Sequence, residues 1–300
     1  MLARCVDDNI AVVDHPVRDM EGVFVVVTGA NTGIGRATAE QLAARGAKIA
    51  LACRSEQRTR PVLDAIASRG GDAFFVPLDL GAFASVRAAA TRLEALGRPI
   101  DILVNNAGVA GQRGITVDGF ELAFGTNHLG HFLLTLLLAA RLGEASRARI
   151  VNVSSHAHYQ AKGIDFRAVR KPTRSITGLP EYAVSKLANV LFTRELARRI
   201  GPGGAHSYAL HPGVVASDAW RRVPWPIRPL MKMRMISNDE GAKTSIYCAT
   251  SRDVASDDGR YYDACRQAEP SAIAQDEALA RDLWERSLEF TGAPAWVRAA

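Results

Sequence analysis

The sequence predicts one α/β domain built on a doubly wound parallel sheet flanked by helices. Two observations point there. Short, nearly continuous apolar runs alternate with stretches of ten to thirty residues rich in Ala, Leu, Arg and Glu. The runs lack the polar-apolar alternation of a half-exposed strand, as expected of strands covered on both faces. Strand–helix alternation of this kind builds a parallel sheet with helices on both sides. The predicted strands are VFVVVT at 23–28, KIALAC at 48–53, DAFFV at 72–76, DILVNN at 101–106, RIVNVSS at 149–155 and HSYALH at 206–211. A helix ends near Gly46, and another is predicted from Glu181 to Arg199. No linker or internal repeat divides the chain. Residues 1–20 read as an N-terminal extension and 21–300 as one domain.

Composition narrows the function classes. Of 300 residues, 48% are apolar and 23% charged, which is ordinary globular usage and argues against disorder. The longest apolar stretch, FLLTLLLAA at 132–140, is about half the ~20 residues that span a bilayer, so no integral membrane segment is expected. Asp7, Asp8, Asp14 and Asp19 interrupt the first twenty residues, unlike a secretory leader. The net charge of +6 comes without a basic run interleaved with aromatics, so nucleic acid is not an expected partner. Cys5, Cys53, Cys248 and Cys265 show neither metal spacing nor a disulfide framework, which suits a cytoplasmic location.

TGANTGIG at 28–35 follows the first strand and opens an Ala-rich helix. Gly29, Gly33 and Gly35 permit a tight turn and let backbone N–H groups approach a pyrophosphate at a helix N-terminus. A strand-to-helix glycine turn at the start of a Rossmann-type domain predicts a dinucleotide cofactor. The place where a carboxylate would hold the 2′-hydroxyl of NAD reads Ala52-Cys53-Arg54 instead. An arginine there favours a 2′-phosphate, so the expected cofactor is NADP(H).

Tyr182 and Lys186 form a Y-x-x-x-K pair whose i,i+4 spacing puts both on one helix face. An adjacent ammonium favours the phenolate, so the pair can exchange a proton near neutral pH. The polar clusters NNAG (105–108), VNVSS (151–155) and HPGVV (211–215) all close predicted strands. In open α/β sheets ligands bind outside those carboxyl ends.

These motifs, in this order and spacing, resemble the short-chain dehydrogenase/reductase family from about residue 23 to 292. ACR at 52–54, TNHLGHFLLT at 126–135, SKLANVLFTRELARR at 185–199, HPGVV and the tail GRYYDAC…LWERS resemble its retinol-dehydrogenase-like and protochlorophyllide-reductase-like branch. The resemblance implies Tyr182 as general acid/base and Lys186 as the group that depresses its pKa and holds the nicotinamide ribose. Ser155 would bond the substrate oxygen, and Asn127 would position a water that links Lys186 to solvent. It implies Asp79 at the adenine amino group with Leu80 beside it, and Asn106 on the adenosine ribose side. Asn31, Thr32, Ile34, Ala107, Gly108, Pro212, Gly213 and Val215 complete the implied cofactor contacts. Ser155 and Tyr182 stand 27 residues apart, so 159–180 is an inserted loop. Ser217 replaces the threonine that many members carry.

The implied activity is hydride transfer between NADP(H) and a hydrophobic aldehyde or ketone, or the matching alcohol. A non-catalytic NADP(H)-binding regulator and a reductase of an activated C=C bond are the alternatives. Residues 217–236, with Trp220, Trp225, Met231, Met233 and Met235, read as a lipophilic lid, a core segment, or a basic membrane-surface patch carrying Arg221, Arg222, Arg228, Lys232 and Arg234. The stretch 132–140 reads as either a homodimer interface or a plain core helix. His156, His158 and Tyr159 either line the site or lie at the surface. His128 and His131 have no acidic or cysteine neighbour in sequence, and no metal is expected. Trp284 is expected to pack the C-terminal helix.

Overall fold

The computed structural model describes residues 18–145, 148–201, 203–213 and 236–296. Val215, Ser217, positions 217–235 of the expected lid and residues 1–17 of the expected extension lie outside the described residues.

Eight strands form one sheet in the order β3-β2-β1-β4-β5-β6-β7-β8. They are β1 (Phe24–Thr28), β2 (Lys48–Cys53), β3 (Asp72–Pro77), β4 (Ile102–Asn105), β5 (Arg149–Val153), β6 (His206–His211), β7 (Arg260–Asp263) and β8 (Arg266–Ala268). All neighbours run parallel except β7 and β8, a hairpin whose turn places Ala264 and Cys265 at positive φ. The chain order reverses at β1, beside β4, which opens a crevice at the carboxyl ends of those strands. The six strands expected from sequence are present, and the tail supplies two more, with β8 at the edge.

The helices are α1 (Gly33–Ala44), α2 (Glu56–Ala67), α3 (Phe83–Glu94), α4 (Leu122–Phe124), α5 (Gly130–Leu137), α6 (Ala139–Gly143), α7 (Leu179–Ile200), α8 (Asn238–Thr250) and α9 (Glu277–Thr291). A π-helical turn, Gly125–Leu129, joins α4 to α5. Strand side chains alternate between faces. Phe24 and Val26 point to a core shared with α3, α5, α7 and α9. Val25 and Val27 point to a second core under α1, α2 and α8. Burial on both faces explains the unbroken apolar runs.

Of the two readings of 132–140, the structure shows the core helix. Phe132, Leu133, Leu134, Leu136 and Leu138 are buried. Helix α9 covers this face: Trp284 meets Phe132 edge-on at 5.1 Å and stacks on Phe192 at 6.0 Å. The Arg199 guanidinium lies 4.5 Å over the Trp284 ring from outside. The inserted loop at 159–180 is likewise tied down. Thr173 Oγ donates to Glu121 and its hydroxyl also meets the Gly114 carbonyl at 3.1 Å. Glu181, in the first turn of α7, accepts the backbone amides of Arg174 and Ser175.

Trp284→Ala should lower unfolding stability by about 3–5 kcal/mol, the usual cost of emptying a large aromatic site in a core. Denaturant titration followed by circular dichroism checks this.

Candidate active site

The site lies at the carboxyl edge of β1, β4 and β5. Thr28, the last residue of β1, fastens that edge. Its Oγ accepts the amides of Asn106 and Ala107, both at 3.0 Å, so β4 leaves the sheet against the start of the phosphate turn. Asn106 Nδ2 donates back to the Thr28 carbonyl at 2.9 Å. Its side chain therefore braces the turn from beneath. The first asparagine of NNAG is structural too. Asn105 Nδ2 donates to Asn152 Oδ1 at 2.8 Å and to Thr135 Oγ at 3.0 Å, between register partners on β4 and β5.

The turn requires glycine at two places. Gly29 adopts φ +66°, and a Cβ there would stand 2.8 Å from the Ala107 Cβ. A Cβ on Gly35 would stand 2.3 Å from Asn106 Nδ2 and 2.6 Å from the Gly29 carbonyl oxygen. Thr32 begins α1 without a side-chain cap, and no acidic residue occupies the first turn. The helix N-terminus thus presents uncapped amides, the arrangement that receives a pyrophosphate. Asn31, Thr32, Gly33 and Ile34 all retain exposure in this turn, as does Arg54 at the end of β2. Arg54 precedes Ser55, the N-cap of α2, whose Oγ accepts the Arg58 amide.

Asp79 is partly exposed, with Oδ1 accepting the Gly81 amide at 2.9 Å. The Leu80 side chain belongs to the core, so only its backbone can serve a cofactor. Pro212 and Gly213 follow β6 at the same edge of the sheet.

The catalytic candidates converge from three elements. Ser154 is buried, its Oγ donating to the Lys186 carbonyl at 2.8 Å, whereas Ser155 stays partly exposed. Extended backbone at Ser155 starts a short 3₁₀ turn, His156–Gln160. Ser155 Oγ accepts the Ala157 amide at 3.2 Å and lies near the Tyr182 hydroxyl. Lys186, one helical turn beyond Tyr182, places Nζ 5.6 Å from the centroid of the tyrosine ring. That ammonium is 4% exposed and donates to the Val153 carbonyl at 2.8 Å. No carboxylate lies within ion-pair distance of it among the described residues. Burial lowers the Lys186 pKa to about 8.

Burial pushes the Tyr182 hydroxyl above its ordinary value, and the nearby Ser155 side chain draws it partly back.

Asn127 sits in the π-helical turn, a feature common at functional sites. Its side chain is fully committed. Oδ1 accepts the Val109 amide at 2.8 Å, and Nδ2 donates to the Val109 carbonyl and to Ser185 Oγ, each at 2.9 Å. Any further partner must use its backbone carbonyl, which accepts from His131 Nδ1 at 2.9 Å. A carbonyl can only accept, so Nδ1 carries the proton and Nε2 accepts from the Thr28 hydroxyl at 2.8 Å. Burial holds His131 near pKa 4 and therefore neutral. Sequence reasoning missed this link between the phosphate turn and Asn127. The signal was the i,i+4 spacing of Asn127 and His131.

His128 is a core residue, ringed by Phe124, Phe132 and Phe192 and bonded to Ser287. It and His131 serve separate networks, with no metal arrangement between them. His158 is buried and ties Ser155 to the loop before α9: Nδ1 donates to the Ser155 carbonyl at 2.7 Å, and Nε2 accepts the Ser271 amide at 3.1 Å. His156 is exposed, and Tyr159 reaches the Glu269 carbonyl at the surface.

These features can hold a dinucleotide. The uncapped α1 amides, the glycines that admit close approach, and a buried ammonium with spare donors all match its phosphate and ribose groups. The comparisons with known proteins agree. Residues 23–225 match the family model described as short chain dehydrogenase. The chain is 42% identical over 280 residues to "Retinol dehydrogenase 12" of Mus musculus, covering 90% of this chain and 87% of that protein. It is 41% identical over 281 residues to "Retinol dehydrogenase 11" of Homo sapiens, covering 92% and 87% respectively. Among solved structures, an uncharacterized protein from Mycobacterium paratuberculosis superposes with TM-score 0.75 at 31% identity, covering 92% of this chain and 97% of its own. A chain described as an NAD(P) dependent gluconate 5-dehydrogenase from Beutenbergia cavernae, with NADP bound at low occupancy, superposes with TM-score 0.67 at 25% identity, covering 83% and 97%.

Proposed function

The chain belongs to the short-chain dehydrogenase/reductase family and is an oxidoreductase of alcohol and carbonyl groups, and from that premise we propose that it reduces hydrophobic aldehydes or ketones with NADPH, using Tyr182, Ser155, Lys186 and Asn127. The observation that carries this reading is the buried Lys186 ammonium beneath the Tyr182 ring, with Ser155 beside the tyrosine hydroxyl. Lys186 has three donors, and Val153 takes one. The remaining donors suit the hydroxyls of a nicotinamide ribose.

The bound nicotinamide supplies or takes the hydride. Ser155 and Tyr182 then hold the carbonyl oxygen between two donors and stabilise the charge that grows on it. Tyr182 delivers the proton. The Asn127 backbone carbonyl, aimed by the π turn and held by His131, positions the water through which Lys186 regains a proton.

Arg54 supports NADP(H) over NAD(H): it is exposed at the ribose end of β2, beside the N-terminus of α2, where a 2′-phosphate would meet a guanidinium and a helix dipole. A substrate of retinoid-like chemistry follows from the names of the relatives, which describe retinol dehydrogenases. Buried thiols at Cys53 and Cys248 fit a reducing, cytoplasmic setting. No helix among the described residues is long and apolar enough to cross a membrane.

The test is NADPH consumption against a panel of hydrophobic aldehydes, ketones and enones. Tyr182→Phe should cut kcat by about 10²–10⁴ and leave the NADPH Kd within about threefold. Turnover retained in that variant would refute the role of Tyr182, and product analysis would expose reduction of C=C instead of C=O. Arg54→Ala should weaken NADPH by about tenfold or more while leaving NADH unchanged, reflecting one charge-assisted contact of roughly 1.5–3 kcal/mol. Equal effects on both nucleotides would remove the NADP assignment.

A pH profile tests Lys186. Its pKa is depressed, so the folded chain loses this proton as pH rises through about 8, well before an exposed lysine would. kcat/KM for reduction should fall above that pH, and Lys186→Arg, which stays charged, should remove that limb. A profile unchanged by the substitution would detach the limb from Lys186.

A further inference from the structure

The carboxyl edge carries a second cluster that the reduction chemistry does not use. His211 closes β6 and Asp263 closes β7, and the two are register partners on adjacent parallel strands. Their side chains therefore leave the sheet on the same face. His156 enters from the turn after β5, the next strand along. Three neighbouring strand ends thus each deliver one potential ligand to a single point. The imidazoles of His156 and His211 stack with centroids 3.9 Å apart and planes 20° apart. His156 Nε2 lies 2.8 Å from Asp263 Oδ2. One ligand atom from each residue falls within 4.8 Å of the other two.

We propose that His156, His211 and Asp263 form a binding site for a divalent transition metal of the zinc class, beside the Ser155 end of the catalytic cleft. Two imidazoles and one carboxylate are a donor set that zinc, cobalt and nickel accept, and three protein ligands leave a fourth position open. Bonds of 2.0–2.1 Å in a tetrahedron separate ligand atoms by about 3.3 Å. The existing spacing reaches that by rotating His156, whose side chain is exposed and whose ties are few. A metal would replace the His156–Asp263 hydrogen bond and the long 3.3 Å contact between the His156 amide and His211 Nδ1. Both are modest losses beside metal–ligand bonds.

The electrostatics agree. A metal needs unprotonated imidazole. His211 is buried where β6 ends. Asp263 supplies the compensating negative charge. Backbone hydrogen bonding of β6 and β7 fixes two of the three ligands before metal arrives, which reduces the ordering needed on binding.

The experiment is titration of the full-length protein with Co²⁺ near neutral pH, followed by visible absorption, with Zn²⁺ as competitor. The expected result is one equivalent of Co²⁺ with the intense bands of four-coordinate cobalt, displaced by Zn²⁺. His156→Ala and Asp263→Asn, both at the surface, should each weaken binding by about 100-fold while thermal unfolding stays unchanged. Tyr182→Phe should bind Co²⁺ like the wild type, which separates this site from the reduction chemistry. Absence of a saturable cobalt signal would overturn the proposal, and so would a signal that both ligand variants retain.

Discussion

Taking the Lys186 ammonium out of water with no carboxylate beside it costs free energy, by general estimates several kcal/mol for an unpaired buried ion. Much of the surrounding structure offsets that cost. The Val153 carbonyl at the end of β5 accepts one of its protons. The Ser154 hydroxyl bonds the Lys186 backbone and so fixes the helix against the strand. Asn127 sits in a π-helical turn whose geometry is closed by Val109 and Ser185, the residue just before Lys186. A paired lysine would be more stable and less useful, because its donors would already be satisfied. The strain of the uncompensated charge is what leaves those donors available to a polar ligand.

The same economy of polar groups runs across the sheet edge. Thr28 accepts two amides from the segment after β4 and gives its only proton to His131, which holds the Asn127 carbonyl. The turn that would bind phosphates and the helix that bears Asn127 therefore share one rigid network, buried and neutral. Displacement at one end is opposed at the other. A cofactor seated on the turn and a proton path at Asn127 would be mechanically joined without any moving part.

Local signals made most of this legible in the sequence. Glycine spacing, uninterrupted β-branched runs and the Tyr182/Lys186 interval depend on residues close in the chain, so they reveal the sheet, the turn and the pair. What escaped depends on distant partners. Nothing near Phe132 announces that Trp284, some 150 positions later, will cover it. Nothing near Ser155 shows that Ser271 steadies His158 behind it.

The cover supplied by α9 also bears on how the chain is made. Synthesis runs from N- to C-terminus, so α5 and α7 emerge from the ribosome long before the helix that seals them. During that interval Phe132, Phe192 and their leucine neighbours form a bare apolar face of the kind that recruits chaperones or other nascent chains. A polypeptide ended before Glu277 would keep that face permanently. The first six strands, Ser155, Tyr182 and Lys186 would all be present, yet the product would be a substrate for quality control rather than a folded chain with a trimmed tail.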